Sequence, residues 1–184
     1  MSYKQISPSS PARITVFPNA RTTRAVETLE FGCMEELAAF FETEPLERSA
    51  KTDAPLFSRG FCDGRRKKVN LQPPFLLMLD VDKSPVSMAD CSVRLRIMDV
   101  DHVAYETWSH GKEEGTHSYR VVVDLMADSW PAVEIATREL FKLVCLEPTS
   151  ESSTCPAFFV PAAEPGKVRR SVSVLAGGSD WRPS

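Results

Sequence analysis

The chain has 184 residues, of which 42% are apolar and 26% are charged, and its formal net charge is −3 at pH 7. This size predicts one domain with a hydrophobic core, and the slight acidity excludes a whole-molecule attraction for nucleic acid while permitting a local basic patch. The five cysteines include no CxxC pair, and no run approaches the roughly 18 apolar residues of a membrane span. With no apolar signal core at the N-terminus, we expect a cytoplasmic protein without disulfides, a zinc ribbon or a membrane partner.

The N-terminal part of the chain predicts a flexible lead followed by an αβ unit. Residues 1–13 are rich in Ser and Pro, which is typical of a flexible segment. The stretch "ITVFP" predicts a strand that ends at Pro18, and "CMEELAAFFE" predicts a helix because its apolar residues keep helical spacing. A basic, turn-rich segment follows, "FSRGFCDGRRKKVN".

The central segments predict a buried strand, a helix and a hairpin. The unbroken apolar run of "PFLLMLDVD" predicts a central strand that is buried on both faces. The segment "SMADCSVRLRIM" fits a helix with one apolar stripe, although the alternation in "VRLRI" also permits a strand. The segments "HVAYETWS" and "HSYRVVVDL" predict a β-hairpin, joined by the polar loop "HGKEEGT".

The C-terminal part predicts a long helix, a short strand and a tail. Ser129 is suited to cap the helix "PAVEIATRELFKLV", with Pro131 in its first turn, and "AFFVP" predicts the strand. Residues 14–165 form the predicted domain, and residues 166–184 a basic, Gly- and Ser-rich tail or linker. Because an antiparallel hairpin lies among mixed helices and strands, the predicted fold class is α+β.

An acidic pair, Asp80 and Asp82, ends the predicted central strand. Alternate residues of a strand share a face, so both carboxylates point the same way, roughly 6.5–7 Å apart along the backbone. They would repel each other without a cation between them, and Mg²⁺ or Mn²⁺ prefers such oxygen ligands. Two-metal phosphoryl transfer is the functional interpretation. The alternative is that both aspartates only end the strand and cap the following helix.

Polar residues at the ends of the hairpin strands accompany the acidic pair, namely Ser109, His110, His117 and Arg120. A histidine and an arginine beside a metal-bound acidic pair would hold nucleotide phosphates and balance developing charge. The alternative for a histidine in a loop is simple solvation. Arg120 opens the "VVV" strand, so its side chain should project from one face of the sheet. Glu147 ends the long helix and is a third acidic candidate.

In order along the chain, "LMLDVD", "TWSH", "YRVVVDL" and "LEPTSESSTCPAFFVP" resemble the motifs of the archaeo-eukaryotic primase superfamily, the primase-polymerases. In that family a strand ends in DxD, a Ser/Thr–His motif follows, and an arginine opens the next strand. A further acidic residue then precedes a strand that ends in proline. The resemblance is to catalytic domains of phage, plasmid and mobile-element replication proteins. It covers about residues 14–165, including the upstream "PLFSRGFCDGRRKKVN".

The resemblance implies an RRM-like antiparallel or mixed catalytic sheet packed with helices. It implies a DNA primase that acts on a single-stranded DNA template, with NTPs or dNTPs as substrates and Mg²⁺ or Mn²⁺ as cofactor. A helicase domain or protein is an implied partner, which the tail would join. We therefore expect Asp80→Ala and Asp82→Ala each to abolish nucleotide incorporation while leaving folding intact.

Individual residues take their roles from the same resemblance. Asp80, Asp82 and Glu147 would hold the metal ions, and His110 would contact the triphosphate with Arg120 nearby. The chain departs from the family twice. Many members have aspartate at the third acidic position, and other branches place the histidine at the start of the second strand, which is His117 here.

The basic segment before the central strand supplies candidates for phosphate contacts with the template, with Phe57 or Phe61 as stacking surfaces. The candidates are Arg59, Arg65, Arg66, Lys67 and Lys68. The alternative is an ordinary solvated loop.

Three rival functions use some of the same features. The stretch "LDVDKS" fits the opening of haloacid-dehalogenase-type phosphatases, with Asp80 as nucleophile, but no GDxxxD-type acidic pair follows it. A non-catalytic RNA-recognition module would need exposed aromatics on its central strands, and "FLLMLDVD" has none at its middle. A rolling-circle nuclease would need a His-hydrophobic-His pair, which the sequence lacks.

Overall fold

The computed structural model describes residues 3–42, 46–146, 155, 157–164 and 172–175. Within these ranges the fold is α+β, as predicted, with three α-helices and several mostly antiparallel sheets. The helices are α1 (Met34–Glu42), α2 (Met88–Ile97) and α3 (Trp130–Leu143). The strands are β1 (Tyr3–Lys4), β2 (Ala12–Phe17), β3 (Glu27–Phe31), β4 (Leu46–Glu47), β5 (Leu56–Ser58), β6 (Phe61–Cys62), β7 (Leu71–Gln72), β8 (Phe75–Ser84), β9 (His102–Glu106), β10 (His117–Ala127), β11 (Ala157–Phe159), β12 (Ala162–Ala163) and β13 (Val172–Leu175).

A central sheet contains the strand that ends in the acidic pair. β8 and β9 flank β10 and pair with it antiparallel, which confirms the predicted hairpin of β9 and β10. The succession β8, α2, β9, β10, α3 matches the first five elements of a βαββαβ unit. A sixth strand beside β8 is not among the strands that the structure describes, and β11 pairs with β5 in a second sheet. The RRM-like architecture therefore stays a prediction.

The central sheet is buried on both faces, as the apolar run of β8 predicts. One face packs against α2 and α3, and it receives Leu77, Leu79 and Val81. The opposite face packs against α1 and β2, and it receives Leu76 and Met78. By strand alternation Asp80 and Asp82 follow Leu76 and Met78. The acidic pair therefore lies on the face away from α2 and α3.

The segment that permitted either a helix or a strand is the helix α2. Ser87 caps it, because its Oγ accepts the backbone N–H of Asp90 over 3.1 Å and donates to Asp90 Oδ2 over 2.7 Å. Cys91 and Leu95, one turn apart, are fully buried against the sheet. Ser129 caps α3 as predicted, accepting the N–H of Ala132.

Short strands from both terminal parts of the chain pair with the central sheet. β1 pairs with the far end of β10, Ile6 is buried, and its N–H donates to Asp124 Oδ1 over 2.7 Å. Residues 3–6 and 12–13 therefore belong to the packed fold, whereas the sequence predicted a flexible segment over residues 1–13; the predicted domain boundaries stay predictions. Within the predicted tail, β13 pairs with β9. Such short strands are held by backbone hydrogen bonds to a distant strand, which composition does not reveal.

Asp124 makes the stability of this N-terminal contact depend on pH. Burial raises the pKa of its carboxyl from 3.8 to about 6, although the hydrogen bond from Ile6 opposes the shift. A carboxyl with a raised folded-state pKa stabilises the fold fully below about pH 4, and this contribution is lost as the pH rises through about 6.

We therefore expect Asp124→Asn to raise the free energy of unfolding at about pH 8 by on the order of 1 kcal/mol, with little gain at about pH 4. The amide cannot ionise, and its oxygen still accepts the N–H of Ile6. Urea unfolding of both proteins at the two pH values measures the difference. An equal effect at both pH values would contradict this role of Asp124.

Candidate functional site

A pocket of about 280 Å³ lies at the end of the central sheet where the acidic pair is located. Its charged and hydroxyl-bearing lining includes Lys51, Asp80, Asp82, Thr107, Ser109 and Arg120. Aromatic rings of Tyr105, Trp108 and Phe159 form part of the wall. The fold thus brings together four of the residues singled out from the sequence: Asp80, Asp82, Ser109 and Arg120.

Strand register places Asp80, Arg120 and Tyr105 in one row across three strands. Asp80 of β8 is the direct partner of Arg120 on β10, and Arg120 is the direct partner of Tyr105 on β9. Directly opposed residues on one face have Cβ atoms about 4.5–5.5 Å apart, so the three side chains meet. The three residues of this row line the pocket, and they lie on the face of the sheet that also contains Asp82.

Arg120 links the three strands through its whole guanidinium group. Its Nε donates to Asp80 Oδ1 over 2.9 Å, and its Nη2 donates to the same oxygen. Its Nη1 donates to Tyr105 Oη over 3.2 Å and to the carbonyl oxygen of Phe159 over 3.0 Å. Arg120 is 6% exposed and Asp80 8%. The predicted projection of Arg120 from one face is confirmed, and its charge is directed at Asp80.

The protonation states of Arg120 and Tyr105 follow from their burial and from their contacts with each other and with Asp80. Burial by itself would lower the pKa of Arg120, but Tyr105 and Asp80 outweigh it and raise the pKa. Burial also raises the pKa of the Tyr105 hydroxyl to about 12, although Arg120 opposes the shift. At neutral pH the guanidinium is therefore charged and the phenol neutral, and Tyr105 Oη donates to the carbonyl oxygen of Phe159 over 3.0 Å.

Asp82 differs from Asp80 because it is exposed to solvent. Its Oδ1 accepts the hydroxyl of Ser118 over 2.7 Å, and that hydroxyl accepts the N–H of Lys83 over 3.1 Å. A shift in register between His117 and Tyr119 places Ser118 at this position. The two carboxylates of the acidic pair therefore have different environments, one in a buried ion pair and one open to a ligand.

By the chemistry of its donors, the acidic pair offers one accessible carboxylate that would suit a divalent ion. Mg²⁺ is commonly bound by one or two carboxylates, with water and substrate phosphates completing the coordination. Asp82 is an accessible carboxylate of this kind, whereas Asp80 is shared with Arg120. Among the described residues no group of three His, Cys, Asp or Glu side chains is arranged to hold a metal. Glu147 lies outside the described residues, so its predicted role stays a prediction.

The two candidate histidines lie beside each other, with ring centroids 5.6 Å apart, and neither is part of the described pocket lining. His110 Nδ1 accepts the backbone N–H of Ser118 over 3.3 Å, and its Nε2 lies 3.2 Å from Glu106 Oε1. Because Nδ1 accepts, the ring proton lies on Nε2 and is donated to Glu106. His110 directly follows Ser109 of the pocket in the chain. Its contacts connect the turn after β9 to Glu106 of β9 and to Ser118 of β10.

The structure corrects the predicted role of Arg59 in phosphate binding. Its side chain is fully buried, with the guanidinium carbon 5.0 Å from the ring centroid of Phe158 and 5.7 Å from that of Trp130. Burial lowers its pKa to about 10. A side chain without exposed surface does not contact a DNA backbone, so the predicted phosphate contact is wrong for Arg59. Phe57 is also fully buried, against Phe41, and offers no stacking surface.

The rest of the basic segment lies at the surface. Arg65, Lys67 and Lys68 are exposed, and Arg66 is partly buried. Lys68 contacts the ring of Trp130, with Nζ 4.2 Å from the ring centroid. These positions are compatible with the predicted phosphate contacts, which stay predictions.

The sequence prediction did not include several residues of the pocket. Trp108 stands inside the quoted "TWSH", directly before Ser109, so the motif itself contained the signal. Tyr105 becomes recognisable only when the register with Arg120 is known. Lys51 comes from a turn far upstream, Lys51–Asp53, and no motif marks it.

The pocket combines an open carboxylate, fixed positive charge and aromatic walls. Asp82 is the solvent-exposed carboxylate of the acidic pair, Lys51 contributes positive charge, and the charge of Arg120 is paired with Asp80. Such a combination suits a polar organic ligand that has both charged and apolar groups. No helix in the described ranges is long and apolar enough to cross a membrane. In comparisons with known proteins, no family model, no curated protein and no solved structure matches this chain.

Proposed function

We propose that the chain is a metal-dependent DNA primase or primase-polymerase that makes primers on single-stranded DNA from NTPs or dNTPs. Its biological setting would be the cytoplasmic replication of a phage, plasmid or mobile element. The observation that supports this most is the pocket that unites Asp80, Asp82, Ser109 and Arg120. These residues come from three of the four motifs of the resemblance, and Phe159 of the fourth motif also lines the pocket. The succession β8, α2, β9, β10, α3 supports an RRM-like catalytic core.

The acidic pair and its neighbours would divide the catalytic work. Asp82 and Asp80 would hold the divalent ion, with Glu147 as a further ligand. A bound Mg²⁺ or Mn²⁺ would lower the pKa of a 3′-hydroxyl and would neutralise negative charge on the triphosphate. Arg120 is fixed by Asp80 and Tyr105, so its charge needs no reorganisation when the triphosphate binds. Ser109 would donate a hydrogen bond to a phosphate oxygen.

The rival phosphohydrolase function is less compatible with the environment of Asp80. A nucleophilic carboxylate must reach a phosphorus atom, yet Asp80 is buried and its Oδ1 accepts two hydrogen bonds from Arg120. Both bonds stabilise the ionised form and reduce its nucleophilicity. The exposed member of the pair, Asp82, is the second aspartate of the DxD stretch, which is not the nucleophile in that family.

A primer-synthesis assay on single-stranded DNA tests the proposal. Radiolabelled NTPs and dNTPs are supplied separately, with Mg²⁺ or Mn²⁺, and the products are separated by length. We expect labelled oligonucleotides that require both template and metal. Release of free phosphate without a template, and no oligonucleotide product, would reject the proposal in favour of a phosphohydrolase.

We expect His110→Ala to weaken nucleotide binding about tenfold, and more than His117→Ala does. His110 adjoins Ser109 of the pocket and orders the turn through Glu106 and the backbone of Ser118. Equilibrium dialysis with a radiolabelled dNTP in Mg²⁺ measures both affinities. A larger loss for His117→Ala would assign the nucleotide contact to that residue instead.

A further inference from the structure

Two surface stretches that are distant in sequence meet beside the pocket. The turn Lys51–Asp53 includes Lys51 of the pocket lining, and Thr52 of this turn accepts the N–H of Ala20 over 2.9 Å. The side chain of Arg21 adds contacts to Thr52 Oγ1 and Asp53 Oδ1, both over 3.4 Å. The loop of residues 19–24 is therefore attached to the turn that forms part of the pocket.

The same loop is attached at its other end to the basic segment. Arg24 and Arg65 form an antiparallel β-bridge, and the N–H of Arg66 donates to the carbonyl oxygen of Thr23 over 2.9 Å. The guanidinium of Arg66 donates to the carbonyl oxygens of Asn19 and Ala20 over 3.3 and 2.6 Å. Arg66 thus connects the two stretches through its hydrogen bonds, while Arg24 and Arg65 are exposed to solvent.

The connected stretches concentrate positive charge on a chain whose net charge is −3. We name as the basic path the exposed residues Lys51, Arg21, Arg24, Arg65 and Lys67. Arg24, Arg65 and Lys67 form no ion pair within the described ranges. The acidic residues of these stretches are Asp53, which pairs with Arg21, and Asp63. The uncompensated charges therefore favour an extended polyanion.

We propose that the basic path binds the sugar-phosphate backbone of a single-stranded nucleic acid and directs it to the pocket through Lys51. This inference rests on the proposed function and deepens it, because it adds Arg21, Arg24 and Lys51 to the template surface. A duplex, with a persistence length of about 150 base pairs, does not bend from this surface into a pocket of about 280 Å³. A flexible single strand follows such a path at little cost.

The test compares two double variants that remove the same charge. Arg24→Ala/Arg65→Ala changes the basic path, where the bridge between these residues is made by backbone atoms and survives truncation. The matched control is Arg96→Ala/Lys142→Ala, which removes two exposed positive charges from the last turns of α2 and α3, away from the first turn of α3 that Lys68 contacts. Fluorescence anisotropy measures binding of a labelled oligothymidylate of about 20 nucleotides, longer than the roughly 4–16 nucleotides of one single-strand site.

We expect the path variant to bind about tenfold more weakly at low salt, and the control to bind like wild type. Loss of two phosphate contacts should also reduce the slope of log affinity against log salt by about 1.4, since each contact on a single strand contributes about 0.7. Lys51→Ala should weaken binding in the same direction. Wild-type affinity in the path variant, or an equal loss in the control, would overturn the inference, as would tighter binding to duplex DNA of the same length.

Primer synthesis by the same preparations separates this inference from the proposed function. If wild type makes primers while the path variant keeps full template affinity, the basic path is wrong and the proposed function stands. If wild type makes no product with any nucleotide or metal, the proposed function fails, and the anisotropy comparison alone judges the basic path. Urea unfolding of each variant confirms that losses of binding are not losses of folded protein.

Discussion

We expect Asp82→Asn to slow nucleotide incorporation by about a thousandfold while its urea unfolding curve overlays that of wild type. Loss of the accessible carboxylate would remove several kcal/mol of metal-dependent transition-state stabilisation, at about 1.36 kcal/mol per factor of ten. The fold is unaffected because Asp82 is exposed, and an amide oxygen still accepts the hydroxyl of Ser118. Single-turnover extension of a primed template in Mg²⁺ and in Mn²⁺ measures the rate.

The matched control for this prediction is Asp128→Asn, an equally conservative change at an exposed carboxylate beyond the far end of the central sheet. Asp128 pairs with Lys4 over 3.7 Å and lies outside the pocket lining. We expect it to keep the wild-type rate. An Asp82→Asn variant that extends primers as fast as this control would remove the acidic pair from catalysis.

The second large effect concerns stability, and it revises the expectation that Asp80→Ala leaves folding intact. We expect Asp80→Ala and Arg120→Met each to lower the free energy of unfolding by roughly 3–5 kcal/mol. Either change leaves one charge of a buried ion pair without its partner, since both residues are less than 10% exposed. Urea unfolding at neutral pH measures the loss.

A double variant, Asp80→Leu/Arg120→Met, separates stability from catalysis. Replacement of a whole buried ion pair by apolar side chains of similar volume is often neutral, so most of the lost stability should return. Primer synthesis should not return, because one ligand of the proposed metal site and the fixed charge are both gone. A double variant as unstable as the two single variants would show that the ion pair is not the cause of their instability.

Tyr105→Phe serves as the milder comparison in the same row. It removes one acceptor of Arg120 and one donor to the carbonyl oxygen of Phe159, and leaves the Asp80–Arg120 pair in place. We expect a cost of roughly 1–3 kcal/mol, because one of the two lost hydrogen bonds has the charged Arg120 as its donor, and this is below the cost of breaking the ion pair.

The sequence by itself determined the elements that depend on local patterns. Helix α3 was predicted from Ser129, Pro131 and a 3.6-residue apolar period, and β8 from an apolar run that is typical of a strand buried on both faces. The hairpin of β9 and β10 followed from two strand-like segments joined by a polar loop. The shared face of Asp80 and Asp82 followed from strand alternation alone.

Only the tertiary structure decided which side chains meet. The row of Asp80, Arg120 and Tyr105 depends on the register of three strands, and one residue of slip would have turned Arg120 to the opposite face. Arg59 stands in a sequence typical of a surface loop, yet the packing of Phe158 and Trp130 encloses it. Contacts between segments far apart in the chain fix such details, and no local period or composition encodes them.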